Sequence, residues 1–211
     1  MNAMWLANTP ATPHTSRDGN YFFDPPTPVP IFQDQYEWQQ LLALYARAAP
    51  ARVLEIGTYH GGTLYHLLRR AGPGAVVVSV DSYTAGVDNR ALYPDWTPEG
   101  VTLHAIVGDS RASGTVARVA ALGPYDFVWI DAGHYAVEVA DDWRHYGALA
   151  APGAIVAFHD IITHASWPSI EVEQVWRRIQ RQGYVTQELV WSTGVPPNDQ
   201  GWGGIGVVYM P

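Results

Sequence analysis

Val53-Leu54-Glu55-Ile56-Gly57-Thr58-Tyr59-His60-Gly61-Gly62 is the stretch that decides the fold of this 211-residue chain. The run from Arg52 to Ile56 is short and shows no polar alternation. It reads as a strand buried on both faces. Gly57 at its end permits a tight turn and a close backbone approach. Gly61 and Gly62 open a helix, expected over residues 62–70, whose first N–H groups point back over the strand end.

The same alternation continues outward. Strands are expected over residues 75–80, 101–107, 125–130 and 154–158, with helices over 112–122, 134–149 and 169–181. A helix over 33–49 precedes them, and two last strands fall near 184–191 and 205–209. Tyr36, Leu41, Leu44 and Tyr45 mark the apolar face of the first helix. Tyr135, Val139, Trp143 and Tyr146 mark that of the helix at 134–149. Repeated β-α units with continuous apolar strands imply an α/β fold, a mostly parallel sheet covered by helices on both faces. Residues 33–211 form the domain. Residues 1–32 form a Pro-rich arm containing Tyr21-Phe22-Phe23 and Pro25-Pro26-Thr27-Pro28-Val29-Pro30. Proline disfavours helix there. The aromatic part of the arm is expected to dock on this domain or on a second subunit, which leaves a homo-oligomer open.

Composition narrows the class. Apolar residues make up 47% and charged residues 15%, as in a globular chain. There is no cysteine, so thiol catalysis, disulfides and zinc–thiolate sites are excluded, and a reducing cytoplasm fits. The net charge is −8 with no lysine, which disfavours a nucleic-acid partner. No apolar stretch approaches the roughly 20 residues of a membrane span. Nine Trp and 12 Tyr offer flat apolar walls for a small organic ligand.

Polar groups gather at the strand ends: Glu55, Asp81, Asp109 and Asp131. In an open parallel sheet a ligand binds outside the carboxyl ends of the strands, where the strand order reverses. Capping of the following helix is the alternative role for any one of these residues. Asp81, at the end of the second strand, is placed to accept from ribose hydroxyls.

Val53-Leu54-Glu55-Ile56-Gly57 with Gly61-Gly62 resembles motif I of the class I S-adenosylmethionine (SAM)-dependent methyltransferases. It is less like the double-glycine loop of NAD enzymes. Val78-Ser79-Val80-Asp81 resembles the family's ribose-binding strand end, and Val107-Gly108-Asp109-Ser110 its adenine-binding segment. The resemblance covers about residues 50–160. It implies a single Rossmann-like domain with a seven-stranded sheet of order 3-2-1-4-5-7-6, strand 7 antiparallel. It implies SAM held by Glu55, Gly57, Thr58, Tyr59, Gly61, Asp81, Ser82, Asp109, Ser110 and Asp131.

A second stretch narrows the group. Tyr125-Asp126-Phe127-Val128-Trp129-Ile130-Asp131-Ala132-Gly133-His134, followed by Ile155-Val156-Ala157-Phe158-His159-Asp160, is similar to the macrocin and rhamnosyl O-methyltransferases and the cephalosporin hydroxylase-like group. That resemblance implies a divalent metal (Mg, Mn or another) at Asp131, His159 and Asp160. It also implies His134 as general base beside Asp131. If the two strands are neighbours, their ends lie about 4.8 Å apart and both carboxylates can reach one cation. His159 departs from the acidic pattern, and an imidazole suits Mn, Fe or Zn better than Mg. The alternative is that Asp131 caps a helix and His159 is a strand-end residue. At a helix start the dipole is expected to lower the His134 pKa, as a base requires.

The expected function is therefore methyl transfer from SAM to a hydroxyl of a small-molecule acceptor, metal-assisted, in the cytoplasm. Transfer to nitrogen, a non-catalytic SAM-binding module and an NAD-dependent oxidoreductase are the alternatives. Trp96, Trp167, Trp191, Trp202 and His164 are candidate walls of an acceptor pocket, and residues 194–201 a lid or a hairpin.

Overall fold

Strands that are apolar on both faces must be covered on both, and their pairing follows from that. A computed structural model describes residues 27–83, 88–162, 168–191 and 203–211. The strands are β1 (Arg52–Ile56), β2 (Val76–Asp81), β3 (Thr102–Val107), β4 (Tyr125–Ile130), β5 (Ala150–His159), β6 (Val185–Leu189) and β7 (Ile205–Tyr209). They form one sheet of order β3-β2-β1-β4-β5-β7-β6. The first five run parallel, and β7 is antiparallel to both β5 and β6. This is the expected topology.

The helices are α1 (Gln35–Ala48), α2 (Gly62–Arg70), α3 (Tyr93–Trp96), α4 (Ser113–Ala120), α5 (Ala136–Tyr146) and α6 (Val172–Arg181). Successive strand residues point to opposite faces. Val53, Val77, Phe127 and Ala157 therefore pack on one side with Leu41, Tyr45 and Leu67 of α1 and α2. Leu54, Val78, Val128 and Val156 pack on the other with Val139 and Trp176 of α5 and α6.

Several boundaries differ from expectation for local reasons. Helix α1 starts after Asp34, whose Oδ1 accepts from the N–H groups of Tyr36 at 2.9 Å and Glu37 at 3.1 Å. It ends at Ala49 in a left-handed conformation, φ 44°, just before Pro50. The helix expected from residue 134 starts at Ala136, so Tyr135 precedes it and is exposed rather than on its buried face. Strand β5 begins at Ala150, earlier than the apolar run suggests, because Ala150 already pairs with Tyr125. The short α3 has no apolar period and was not legible in the sequence.

The described end of the arm docks. Ile31 is buried, and a Cβ on Gly62 would meet the Pro30 carbonyl at 2.6 Å and Ile31 at 2.7 Å. Tyr21 to Phe23 lie outside the described residues.

Trp38 of α1 is fully buried and meets Trp129 of β4 edge-on, with ring centroids 5.2 Å apart. Trp38→Ala is expected to cost about 3–5 kcal/mol, read as a lower urea midpoint at unchanged slope.

Candidate active site

The strand order reverses between β1 and β4, and the two strand ends meet there. The Asp131 N–H donates to the Ile56 carbonyl at 2.8 Å. Gly57 follows with φ 90°, and a Cβ on it would lie 2.1 Å from the Asp131 carbonyl oxygen. Only glycine fits that crossing. The turn beyond it is held by Asp81 at the end of β2. Its Oδ2 accepts from the N–H groups of Thr58 at 2.9 Å and Tyr59 at 2.7 Å, and its Oδ1 accepts from Tyr83. The Thr58 and Ser79 hydroxyls bond beneath it. Gly61 is the left-handed cap of α2, φ 89°. A ring from Phe32 tilts over Tyr59 and His60 at 5.4 and 5.5 Å.

Glu55 does not stand at the mouth with the other acids. It is wholly buried within β1, and one of its oxygens accepts from the Thr63 hydroxyl at 2.6 Å. The other has no partner. Burial pushes its carboxyl up to about 8 against the Thr63 and Thr58 hydroxyls, which favour the charged form. Ser82 and Asp109 are exposed at the ends of β2 and β3, and Asp109 pairs with Arg111 at 3.5 Å.

At the ends of β4 and β5 a compact cluster forms. One ligand atom each of Asp131, His134 and Asp160 lies within 4.8 Å of the others. The His134 Nε2 is 3.1 Å from Asp160 and 3.9 Å from Asp131. The His159 Nδ1 is 3.5 Å from each of the two carboxylates. Gly203 leaves room for this, since a Cβ there would lie 2.5 Å from the Asp160 Cα. Burial opposes a charged His159, but Asp160 and Asp131 outweigh it and hold the imidazole up to about 10. Burial likewise opposes a charged Asp160, and His159 and His134 still hold it below its ordinary value.

His134 corrects one expectation. It precedes α5 by two residues, and its hydrogen bond to Asp160 raises its pKa rather than lowering it. Its place is fixed from elsewhere. The Glu171 N–H donates to the His134 carbonyl at 2.8 Å, and the Glu171 carboxylate accepts from the Ala136 N–H at 2.8 Å.

With this geometry stand the comparisons. The pattern of the family described as "Methyltransferase domain" matches residues 54–161, just over half of the chain. The chain belongs to this methyltransferase family. Comparison with curated proteins finds no match. Among solved structures, cofactor-bound Rv0187 from MTB is similar at TM-score 0.64 and 21% identity. The match covers 85% of this chain and 82% of that one. The O-methyltransferase TomG from Streptomyces achromogenes, involved in tomaymycin synthesis and solved with SAM, follows at 0.58 and 18%, covering 86% and 82%. MycE of the mycinamycin pathway, solved with Mg and S-adenosylhomocysteine (SAH), matches at 0.53 and 19%, covering 83% of this chain and 48% of MycE. At these identities the likeness establishes the fold.

Two site residues of this methyltransferase were not among the expected ones. The Gln33 amide donates to Asp131 Oδ2 at 2.7 Å, leaving Oδ1 toward the histidines. Glu37 of α1 is buried with its carboxyl pushed up to about 7 by that burial, and it accepts from the Trp191 N–H at 2.7 Å. Both are far from the motifs in sequence and arrive only because α1 packs across β4. Trp96 is buried against Gly61 and Tyr65. Trp191 stacks on Tyr36 at 3.9 Å. His164, Trp167, Trp202 and residues 194–201 lie outside the described residues. Among the described residues no helix is long and apolar enough to cross a membrane.

Glu55 gives the fold a pH signature. Between about 4.5 and about 8 the folded chain keeps a proton that the unfolded chain has released. Its contribution to stability therefore falls as pH rises through that window. Urea unfolding at pH 5, 6.5 and 8 is expected to show Glu55→Gln gaining on the wild type as pH rises. Glu37 keeps part of the slope, because its shift has the same sign.

Proposed function

We propose that this methyltransferase moves the methyl group of SAM to an oxygen of a small hydroxylated molecule such as a phenol, a sugar or a natural product. One observation carries the reading. The clustered ligand atoms of Asp131, His134 and Asp160 lie directly beside the Gly57 turn. TomG with SAM and MycE with Mg and SAH share the fold and support it.

On the cofactor side, Gly57 lets the ends of β1 and β4 close together, and the turn beyond it is the place assigned to the cofactor. Glu55, Gly57, Thr58, Tyr59 and Gly61 shape that turn. Asp81 and Ser82 are assigned to the ribose, Asp109 and Ser110 to the adenine, and Asp131 to the junction with the acceptor. SAM supplies an electrophilic methyl on a sulfonium. The chain's task is to align an oxygen with it and take a proton away. Three of the four acceptor sites on the Asp81 carboxylate are already filled by backbone N–H groups, so the acid is fixed before any ribose arrives.

On the acceptor side, two carboxylate oxygens and an imidazole nitrogen fit a divalent cation, with Mn, Fe or Zn suited as well as Mg. Such an ion supplies Lewis-acid polarisation of an oxygen. We assign His134 as the nitrogen donor, the histidine whose ring nitrogen groups with the two carboxylates. His159 lies 3.5 Å from each of the same two acids. Gln33 orients Asp131 by its amide. The same His134 nitrogen is the one placed to take the acceptor's proton, so base and ligand are alternative uses of one atom.

SAH formation over a panel of phenols and sugars, with chelator and then with Mg, Mn or Zn restored, tests this. Asp160→Ala is expected to lose activity and metal response together. His134→Ala is expected to lower kcat by about 10²-fold or more with SAH affinity unchanged. Full turnover in chelator assigns His134 as the base alone. Unchanged turnover in His134→Ala overturns its role, and methylation of amines but not hydroxyls moves the chemistry to nitrogen.

A further inference from the structure

Asp142 lies outside the cluster just described, farther along α5. It sits in the middle of α5, 1% exposed, and neither carboxylate oxygen has a partner at hydrogen-bonding geometry. A buried acid without a partner is disfavoured by lost solvation, and an apolar residue of similar size would be better tolerated. Burial duly pushes its carboxyl up to about 7, with the Ser110 hydroxyl, the donor that faces it, and Arg111 pulling the other way.

Its neighbours on the helix show what it faces. Glu138, Asp142 and Tyr146 recur every four residues and so share one face of α5. Each meets the segment that follows β3. Glu138 pairs with Arg111 at 3.3 Å. The Tyr146 hydroxyl donates to the Ser110 carbonyl. Asp142 faces the Ser110 side chain between them. Gly108 is pressed in from the other side, since a Cβ there would lie 2.4 Å from the Thr115 hydroxyl. The segment is thus gripped at two points by one helix, and the buried acid lies between them on the same face.

We propose that Asp142 is a positioning residue of the cofactor's adenine subsite, holding residues 108–111 in place through the Ser110 hydroxyl. The proposal rests on the SAM reading above, which puts Asp109 and Ser110 against the adenine. Asp142 acts through Ser110, and the segment's polar atoms then stand ready for the ring's 6-amino edge. A residue that only filled space could be replaced by leucine without consequence for ligand choice. A residue that orders Ser110 could not, and asparagine, which keeps a hydrogen-bonding oxygen at the same place, should serve in its stead.

The test uses the full chain as wild type, Asp142→Asn and Asp142→Leu. Hydrogen exchange without ligand reads the ordering of residues 108–112. Calorimetry with SAH and with S-inosylhomocysteine, which carries an oxygen in place of the 6-amino group, reads the subsite. Asp142→Leu is expected to exchange faster across 108–112 and to bind SAH about tenfold more weakly, about 1.4 kcal/mol. Its preference for SAH over the inosyl analogue should shrink, and Asp142→Asn should restore all three readouts. Wild-type exchange in Asp142→Leu overturns the positioning role. Wild-type affinity and preference in a loosened Asp142→Leu overturn its connection to adenine. A wild type that binds no SAH overturns the cofactor reading itself, and with it the adenine assignment, while faster exchange in Asp142→Leu still supports the hold on Ser110.

Discussion

The site of this methyltransferase depends on one backbone crossing. At the switch point of the sheet the Asp131 N–H bonds to the Ile56 carbonyl, and the Asp131 carbonyl lies where a Cβ of residue 57 would stand. Because residue 57 is glycine, the ends of β1 and β4 close together. That closure brings the turn assigned to the cofactor and the acid of the second cluster into one place. A side chain at position 57 would force the two strand ends apart, and the two halves of the site with them. The rest of the architecture positions this contact: parallel pairing carries the ends of β1 and β4 to the same edge, and helices on both faces keep water from the strands behind it.

Around that crossing, charge is arranged by burial more than by exposure. Asp131 and Asp160 face each other across His159, whose imidazole is held charged and makes two neighbouring carboxylates tolerable in a nearly dry setting. Glu55 feels no such cation among the described residues, at Glu37 the pull of His159 counts for less than burial, and burial raises both. The chain therefore holds two kinds of acid a few residues from the same edge. Asp160 is held as an anion by the histidines, and Glu55 and Glu37 are biased to keep a proton. A positively charged sulfonium ligand and a hydroxyl that must lose a proton are the partners such a field suits.

Helix α1 has a role that its place in the chain conceals. Its cap, Asp34, and the residues on either side reach over β4. Gln33 then orients Asp131, and Glu37 ties in the end of β6 through Trp191. Residues 30–32 lie across the start of α2. The segment before β1 is thereby part of the site and not only a cover for the sheet.

The fold was legible in the sequence because its causes are local. Unbroken apolar runs such as Val76 to Val78 and Phe127 to Ile130 can only be strands covered on both sides, and the glycines after β1 mark a turn with a positive φ. Sequence alone also placed Asp81, Asp131, His134 and Asp160 at strand ends, where the sheet gathers them. It could not reveal which of two adjacent histidines turns toward which carboxylate, since that depends on the backbone at Asp160 and on Gly203 pressed against it. Nor could it reveal the raised pKa of His134, which comes from a contact with Asp160 beyond the end of β5 and outweighs its burial. Gln33, Glu37 and Asp142 carry no motif and gain their roles only where α1 and α5 pack. Sequence determined the order of the elements and the chemistry available at their ends. Tertiary structure decided burial and pairing, because both depend on neighbours that are distant along the chain.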